Sequence, residues 1–267
     1  MHLLFLCCGD QARTILTSAA LPEDAQIITL PTLPQRSDLR VLDEAARVAL
    51  PVDPTPSLED ITAQPDVRHL GAPTTAPQVP YLKQRLRVIV VGDDAALSAV
   101  LTRLMRADNL WVEVAYLPLT ASAAAKNWGL PIGAAGLPLA LYGQVNPAPL
   151  IRNDRGVALA GSATITDFDA APMIGEVAVD SHTLLFSDAY GVRLVPLHDA
   201  PGIAAVRLLD AQGSTRKFLQ PAQIKTGRAV QAGGQNLKIV VDGVAVPRPV
   251  ERTTFYRHLR DLQIVRP

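Results

Sequence analysis

Two short stretches hold carboxylates in settings where they could do chemistry. Val91-Gly92-Asp93-Asp94 follows a β-branched run and precedes a helical pattern. A Gly- and Asp-rich turn at such a junction is commonplace, because Asp caps the helix N-terminus and Gly permits the turn. Val240-Val241-Asp242-Gly243-Val244 sets a second carboxylate at the end of a strand, and Asp-Gly is also a frequent hairpin turn. Gly92 has a turn-forming use, Asp94 can serve as a helix N-cap, and Asp242 can serve the hairpin. Other constellations are weak. The histidines at 2, 69, 182, 198 and 258 are scattered at spacings that suggest no zinc site, and the pair Cys7-Cys8 has no second pair to join. Asp180, Ser181 and His182 are consecutive, and three successive residues cannot meet in space as orienter, nucleophile and base, so they read as a turn.

The elements that must position these residues change in kind along the chain. His2 to Cys8 reads as a buried first strand, since it lacks a basic leader and is too short to span a membrane. A short helix is expected from Gly9 to Ser18, then a strand over Gln26 to Leu30. Prolines 51, 54, 56, 65, 73, 77 and 80 break the next stretch into a loop-rich connection, with a helical turn expected around Ser57 to Ala63. Arg87 to Val91 is a run suited to a strand covered on both faces, and Leu97, Val100, Leu101, Leu104 and Met105 recur at helical spacing. Val112 to Leu117 reads as the next strand, completing a βαβ unit of a parallel sheet. From about Leu139 short β-branched stretches alternate with Gly, Asp and Asn turns, among them 157–160, 183–186, 192–196, 204–209, 228–231 and 237–241. That pattern predicts an all-β second part, closed by a turn after Phe255 and a last strand over 262–265.

Composition narrows the partners. Hydrophobic residues make up 48% of the 267 and aromatic residues 4%, so a core of Leu, Val, Ile and Ala is available while stacking platforms for nucleic acid are not. Lys+Arg and Asp+Glu both number 25, with no basic run to displace counterions from a phosphate polymer. Nucleic acid is therefore excluded as the expected partner. Two adjacent cysteines supply no disulfide framework and agree with a reducing compartment, which predicts a cytoplasmic protein without a membrane-spanning segment.

Several segments, taken in order, resemble the diacylglycerol kinase-like lipid kinases of the NAD kinase-like superfamily. Val88 to Leu101 matches without a gap the family's strand, turn and helix, whose turn reads Gly-Gly-Asp-Gly-Thr and is followed by Leu-Asn-Glu-Val-Leu; here that frame holds Gly92, Asp93, Asp94, Ala95, Ala96, Leu97, Ser98, Ala99, Val100 and Leu101. A strand later, Pro118 to Pro131 resembles the block Pro-Leu-Gly-Thr-x-Asn-Asp-Phe-Ala-Arg and Leu-Gly-Ile-Pro, with one deletion near Thr120. Ile151 to Gly156 resembles the start of the family's second domain, Val240 to Val244 its strand ending in Asp-Gly-Glu, and Leu262 to Pro267 its closing strand. Upstream the likeness fades, for the Asn-Pro-x-Ser-Gly turn is replaced by Cys7-Cys8-Gly9-Asp10.

The resemblance implies two domains, an α/β nucleotide-binding-like domain over 1–138 and a β-sandwich-like, substrate-binding-like domain over 139–267, with the last strand free to return to the first. It implies Gly92, Asp93, Thr120, Ser122 and Lys126 near a nucleotide, Asp94 as the remnant motif carboxylate, and Asp242 as the remnant general base for a lipid hydroxyl. Asp94 and Asp242 are expected to face one cleft. The departures are chemical. Asp93 and Ala95 replace phosphate-cradling glycines, Ala96 lacks the Thr hydroxyl, Ser122 and Ala123 replace Asn and Asp, and Lys126 replaces Arg without its bidentate grip. Val244 replaces a Glu of the metal and water network, leaving magnesium short of a ligand. The expectation is a homologue with impaired or absent phosphoryl transfer and a lipid-, nucleotide- or protein-binding role, with peripheral membrane contact left open. Two alternatives stand beside it: a working ATP- and magnesium-dependent kinase of diacylglycerol or a related lipid alcohol with relaxed motifs, and a structural or regulatory partner of an active kinase. No resident metal is expected unless the chain is active.

Overall fold

The computed structural model describes residues 1–16, 21–64, 71–187, 189–210, 212–214, 216–217, 220–221 and 224–267. Thr17 and Ser18 of the expected first helix, and Pro65 and His69 of the proline-rich connection, lie outside the described residues. The chain divides into two compact units, residues 1–148 with 259–267, and residues 149–258.

In the first unit β1 (His2–Cys8), β2 (Gln26–Leu30), β3 (Leu86–Gly92) and β4 (Glu113–Pro118) form a sheet in the order β4-β3-β1-β2, and the short strand Gln263–Ile264 adds to β4. Every pairing is parallel. All seven residues of β3 are buried, as a central parallel strand with helices on both faces requires. The helices are α1 (Asp10–Leu16), α2 (Arg40–Ala49), α3 (Leu58–Thr62), α4 (Asp94–Arg106), α5 (Ala123–Asn127) and α6 (Leu137–Tyr142). Leu3, Phe5, Ile89, Val91, Ala115 and Leu117 pack with Ala12, Leu16, Leu137 and Leu141 in one core cluster.

Three features depart from the sequence-based expectation. Helix α2 stands where no element is expected; it turns Leu42, Ala46 and Ala49 inward, a stripe too poor in large apolar residues to stand out. Helix α6 falls within the stretch read as the start of the β-rich part, yet it belongs to the first unit, which ends at Ala148. A buried cation explains its place: Arg87, 1% exposed, donates from Nη1 to the carbonyls of Ala140 (3.1 Å) and Leu141 (2.8 Å) and from Nη2 to that of Gly143 (2.9 Å). These are carbonyls that a helix end leaves without partners, and a cation there also suits the helix dipole. Glu113 neutralises the guanidinium, accepting from its Nε at 2.8 Å. The third departure concerns 228–231 and 237–241, which belong to one long strand, Ala229–Val241, with a register shift between Gly233 and Leu237.

The second unit is built on a large sheet whose pairings are antiparallel. Its order runs Ile224–Gly227, Ile203–Arg207, Val192–Pro196, Ala163–Asp167, Ala229–Val241, Val250–Arg257, Ile151–Asn153, Ala158–Leu159. Gly175–Val179 pairs with the first half of the long strand and carries His182–Phe186 as a hairpin partner. Side chains from strands across the sheet, including Ile151, Ile165, Val177, Leu185, Leu194, Ile203, Ile239 and Phe255, share one buried cluster. A parallel α/β domain followed by a β-rich domain is the expected fold class.

Candidate functional site

The strand order places β1 between β2 and β3, so the connections leaving β1 and β3 diverge at their C-terminal ends. Such a switch point is where open α/β sheets form ligand crevices. Here it is occupied by Cys8, Gly9, Gly92 and Asp93. Gly92 is needed for packing, since a Cβ there would stand 3.0 Å from the Cβ of Cys8 and 3.2 Å from that of Ala96. Cys8 is buried, and burial, then Cys7 and Asp93, push its thiol up from 9.0 to about 12. It is an inert packing thiol, not a nucleophile.

Asp93, not Asp94, is the N-cap of α4: its backbone is extended, and its Oδ1 accepts from the amide of Ala96 at 2.8 Å. Asp94 is the first helical residue, and its carboxylate turns across to the next strand and helix. Oδ1 lies 3.0 Å from the donating hydroxyl of Tyr116, which also reaches the carbonyl of Gly92 at 3.2 Å, while Oδ2 accepts from the amide of Ala124 at 3.0 Å. Ser122 caps α5, its Oγ accepting from Ala125 at 3.1 Å. Burial, then the Asp94 carboxylate, raise the Tyr116 phenol well above its ordinary range, so it stays a neutral donor. Tyr116 is the residue that reading the sequence missed. Its signal was a Tyr in a strand whose other residues, Glu113 apart, are apolar; its hydroxyl must find a partner when buried.

Gly92 and Asp94 are therefore brought together through Tyr116, with Asp93 and Ser122 beside them as the caps of α4 and α5. Thr120 and Lys126 stand on the exposed side of the same loop and helix. Ser122 and Lys126 border a shallow depression of about 590 Å³ with Ala121, Ala123, Gly129 and Ile132.

Asp242 belongs to the second unit, at the C-terminal end of the long strand. With φ of 48° at Asp242 and 84° at Gly243, the pair forms a two-residue hairpin turn that returns the chain through Val244–Ala245. Its carboxylate accepts from three consecutive amides, Ala160 (2.8 Å), Gly161 (2.7 Å) and Ser162 (2.9 Å). Those bonds tie the hairpin to the Ala158–Ala163 corner. Val244 is exposed.

Among the described residues no three of His, Cys, Asp or Glu gather as a metal site, and no helix is long and apolar enough to cross a membrane. A nucleotide triphosphate with magnesium fits the first-unit turn poorly. The amide of Ala96, in the first turn of α4, already has a carboxylate acceptor, and both carboxylates are engaged by the chain's own donors.

No family model matches the sequence, and no curated protein matches it significantly. Solved structures do. A protein of Bacillus anthracis str. Sterne assigned as a diacylglycerol kinase superposes with a TM-score of 0.67 at 11% identity, over 100% of this chain and 97% of that one. A second structure of a diacylglycerol kinase from the same organism gives 0.59 at 10% identity, again over 100% and 97%. An NAD kinase from Archaeoglobus fulgidus, in complex with ATP, gives 0.52 at 11% identity over 100% and 94%. At these identities the likeness is one of architecture, and the chain has the fold shared by diacylglycerol kinases and NAD kinases.

Proposed function

We propose that this chain is a non-catalytic homologue of the lipid kinases, keeping their scaffold for a binding role toward a lipid or a protein. One observation carries the reading: the α4 turn supplies its own anion, with Asp93 accepting from the amide of Ala96. A phosphate-cradling turn works by leaving such amides free for the ligand. A phosphate entering here has to displace Asp93 and then sit beside a carboxylate, at a cost of roughly 1–4 kcal/mol for charges about 4 Å apart. Phosphoryl transfer depends on positioning and charge neutralisation, so this arrangement opposes the terms that matter most. The engagement of Asp94 by Tyr116 and Ala124 supports the same reading, and so does Val244 in place of a metal-linked carboxylate.

The test is a radiolabelled phosphate-transfer assay on vesicles containing diacylglycerol, run beside calorimetry with magnesium and ATP. The native chain is expected to show no turnover and little or no heat of ATP binding. The variant Asp93→Gly, Ala95→Gly, Ala96→Thr, Val244→Glu is expected to gain ATP binding. Robust turnover by the native chain would sink the proposal in favour of a working lipid kinase with relaxed motifs.

A further inference from the structure

Unpartnered positive charge is concentrated elsewhere in the first unit. Arg36, Arg40 and Arg47, from helix α2 and the turn before it, line a polar pocket of about 480 Å³ with Arg103 of α4, Asp43 and Glu44. Arg103 grips Asp43 with two donors, Nε at 3.1 Å and Nη2. Glu44 lies four residues after Arg40, and Asp43 four before Arg47, spacings at which a helix pairs opposite charges. Neither pair forms: the side chains of Arg36, Arg40 and Arg47 make no hydrogen bond or ion pair with the described residues. Four guanidiniums against two carboxylates leave the pocket positive by two, in a chain whose formal charges balance at zero. Asp43 is already engaged by Arg103, so the repulsion among Arg36, Arg40 and Arg47 is opposed within the pocket by Glu44 alone, and a bound anion would relieve it.

We propose that this pocket binds the phosphoryl group of a phosphate-bearing ligand. The three cations without a partner, Arg36, Arg40 and Arg47, are arginines, whose planar forks match phosphate oxygens in pairs. A tetrahedral, doubly charged phosphoryl group offers oxygens to several forks arriving from α2 and the turn before it, whereas a carboxylate offers two oxygens in one plane. The volume is that of a small-molecule site, and the polar lining disfavours an apolar occupant. Arg103 is nine residues beyond Asp94, about 14 Å along the helix axis. The proposal is thus independent of whether the α4 turn binds ATP.

Inorganic pyrophosphate, titrated by calorimetry, and phosphatidylcholine vesicles containing phosphatidic acid, tested by co-sedimentation, separate a soluble phosphate from a lipid headgroup. The full chain is compared with Arg40→Gln/Arg47→Gln, with Arg40→Lys/Arg47→Lys, and with the charge-matched control Arg248→Gln/Arg252→Gln. All four positions are exposed, and circular dichroism checks that the fold is kept. The Gln pair is expected to weaken pyrophosphate binding by about tenfold or more, since each lost contact is a hydrogen bond to a charged group. The Lys pair should fall between, and the control should match the native chain. Binding only to the vesicles, lost in the Gln pair and kept in the control, assigns the phosphate to a lipid. Binding of neither probe below about 1 mM, or equal binding by the native chain and the Gln pair, overturns the proposal.

Discussion

Arg87 in the first unit and Asp242 in the second are 1% and 7% exposed, and each directs its charge at the main chain. Arg87 donates to three carbonyls at the end of α6 and has Glu113 as a counter-ion. Asp242 does the inverse, accepting from the three amides of residues 160–162. Arg87 lies in no motif, while Asp242 lies in the stretch that resembles a catalytic one. The shared geometry shows that a motif position and a buried charge outside any motif can perform the same anchoring task. What separates them is reach: Arg87 fixes a helix onto a parallel sheet, and Asp242 fixes a hairpin onto a corner of an antiparallel one.

Both tryptophans, Trp111 and Trp128, are buried in the first unit, so tryptophan fluorescence reports on that unit alone. The largest effect is expected from Arg87→Met, which leaves three carbonyls without their donor and Glu113 with Arg85 alone. Loss of about 3–5 kcal/mol is expected, since each carbonyl left without a donor costs about 1–3 kcal/mol. Urea titration should show it in the tryptophan transition. A shift of the second unit's transition instead would refute the assignment of α6 to the first unit.

Asp242→Ala should cost about 3 kcal/mol, because it strips an acceptor from three amides and forces Ala into a left-handed backbone. Hydrogen exchange at residues 160–162 should accelerate while the tryptophan transition stays in place. Asp242→Asn should lose less, since Asn tolerates that backbone and keeps one acceptor oxygen. An equal loss from Asn and Ala would mean that the carboxylate charge, not the turn geometry, holds the corner.

A smaller effect separates the units by pH. Cys8 and Tyr116, both in the first unit, are raised by burial. The folded unit therefore keeps protons that the unfolded chain releases. Stability is intact below the ordinary pKa values and is lost as pH rises, from 9.0 towards about 12 for Cys8. The slope is at most about 1.4 kcal/mol per pH unit for each group. The tryptophan-detected urea midpoint should fall between about pH 8 and about pH 10.5, and fall less steeply in Cys8→Ala. An unchanged slope in that variant would show that the thiol is not responsible.

Much of this was legible in the residues. The β-branched run ending at Gly92 and the helical spacing of Leu97, Val100, Leu101 and Leu104 identify the β3-α4-β4 unit, because period and turn chemistry are local properties. Asp242-Gly243 signals its hairpin for the same reason. Helix α2 was hidden by its small buried residues, and the long strand looked divided because Gly233 and Gly234 interrupt its apolar pattern. At the turn, the sequence reading offered Asp94 as the helix cap, and the cap is Asp93. The extended backbone at Asp93 and the helical one at Asp94 made that choice.

The sequence by itself determined the elements whose pattern is local, such as β3, α4 and β4, and where the carboxylates and arginines stand along the chain. The tertiary structure decided what each charge meets. Asp94 bonds to groups 22 and 30 residues away, Asp242 to amides 80 to 82 residues away, and Arg103 to an acid 60 residues away. No local preference encodes such distances; sheet order and helix packing set them, and with them whether an amide is open to a ligand or already filled by the chain.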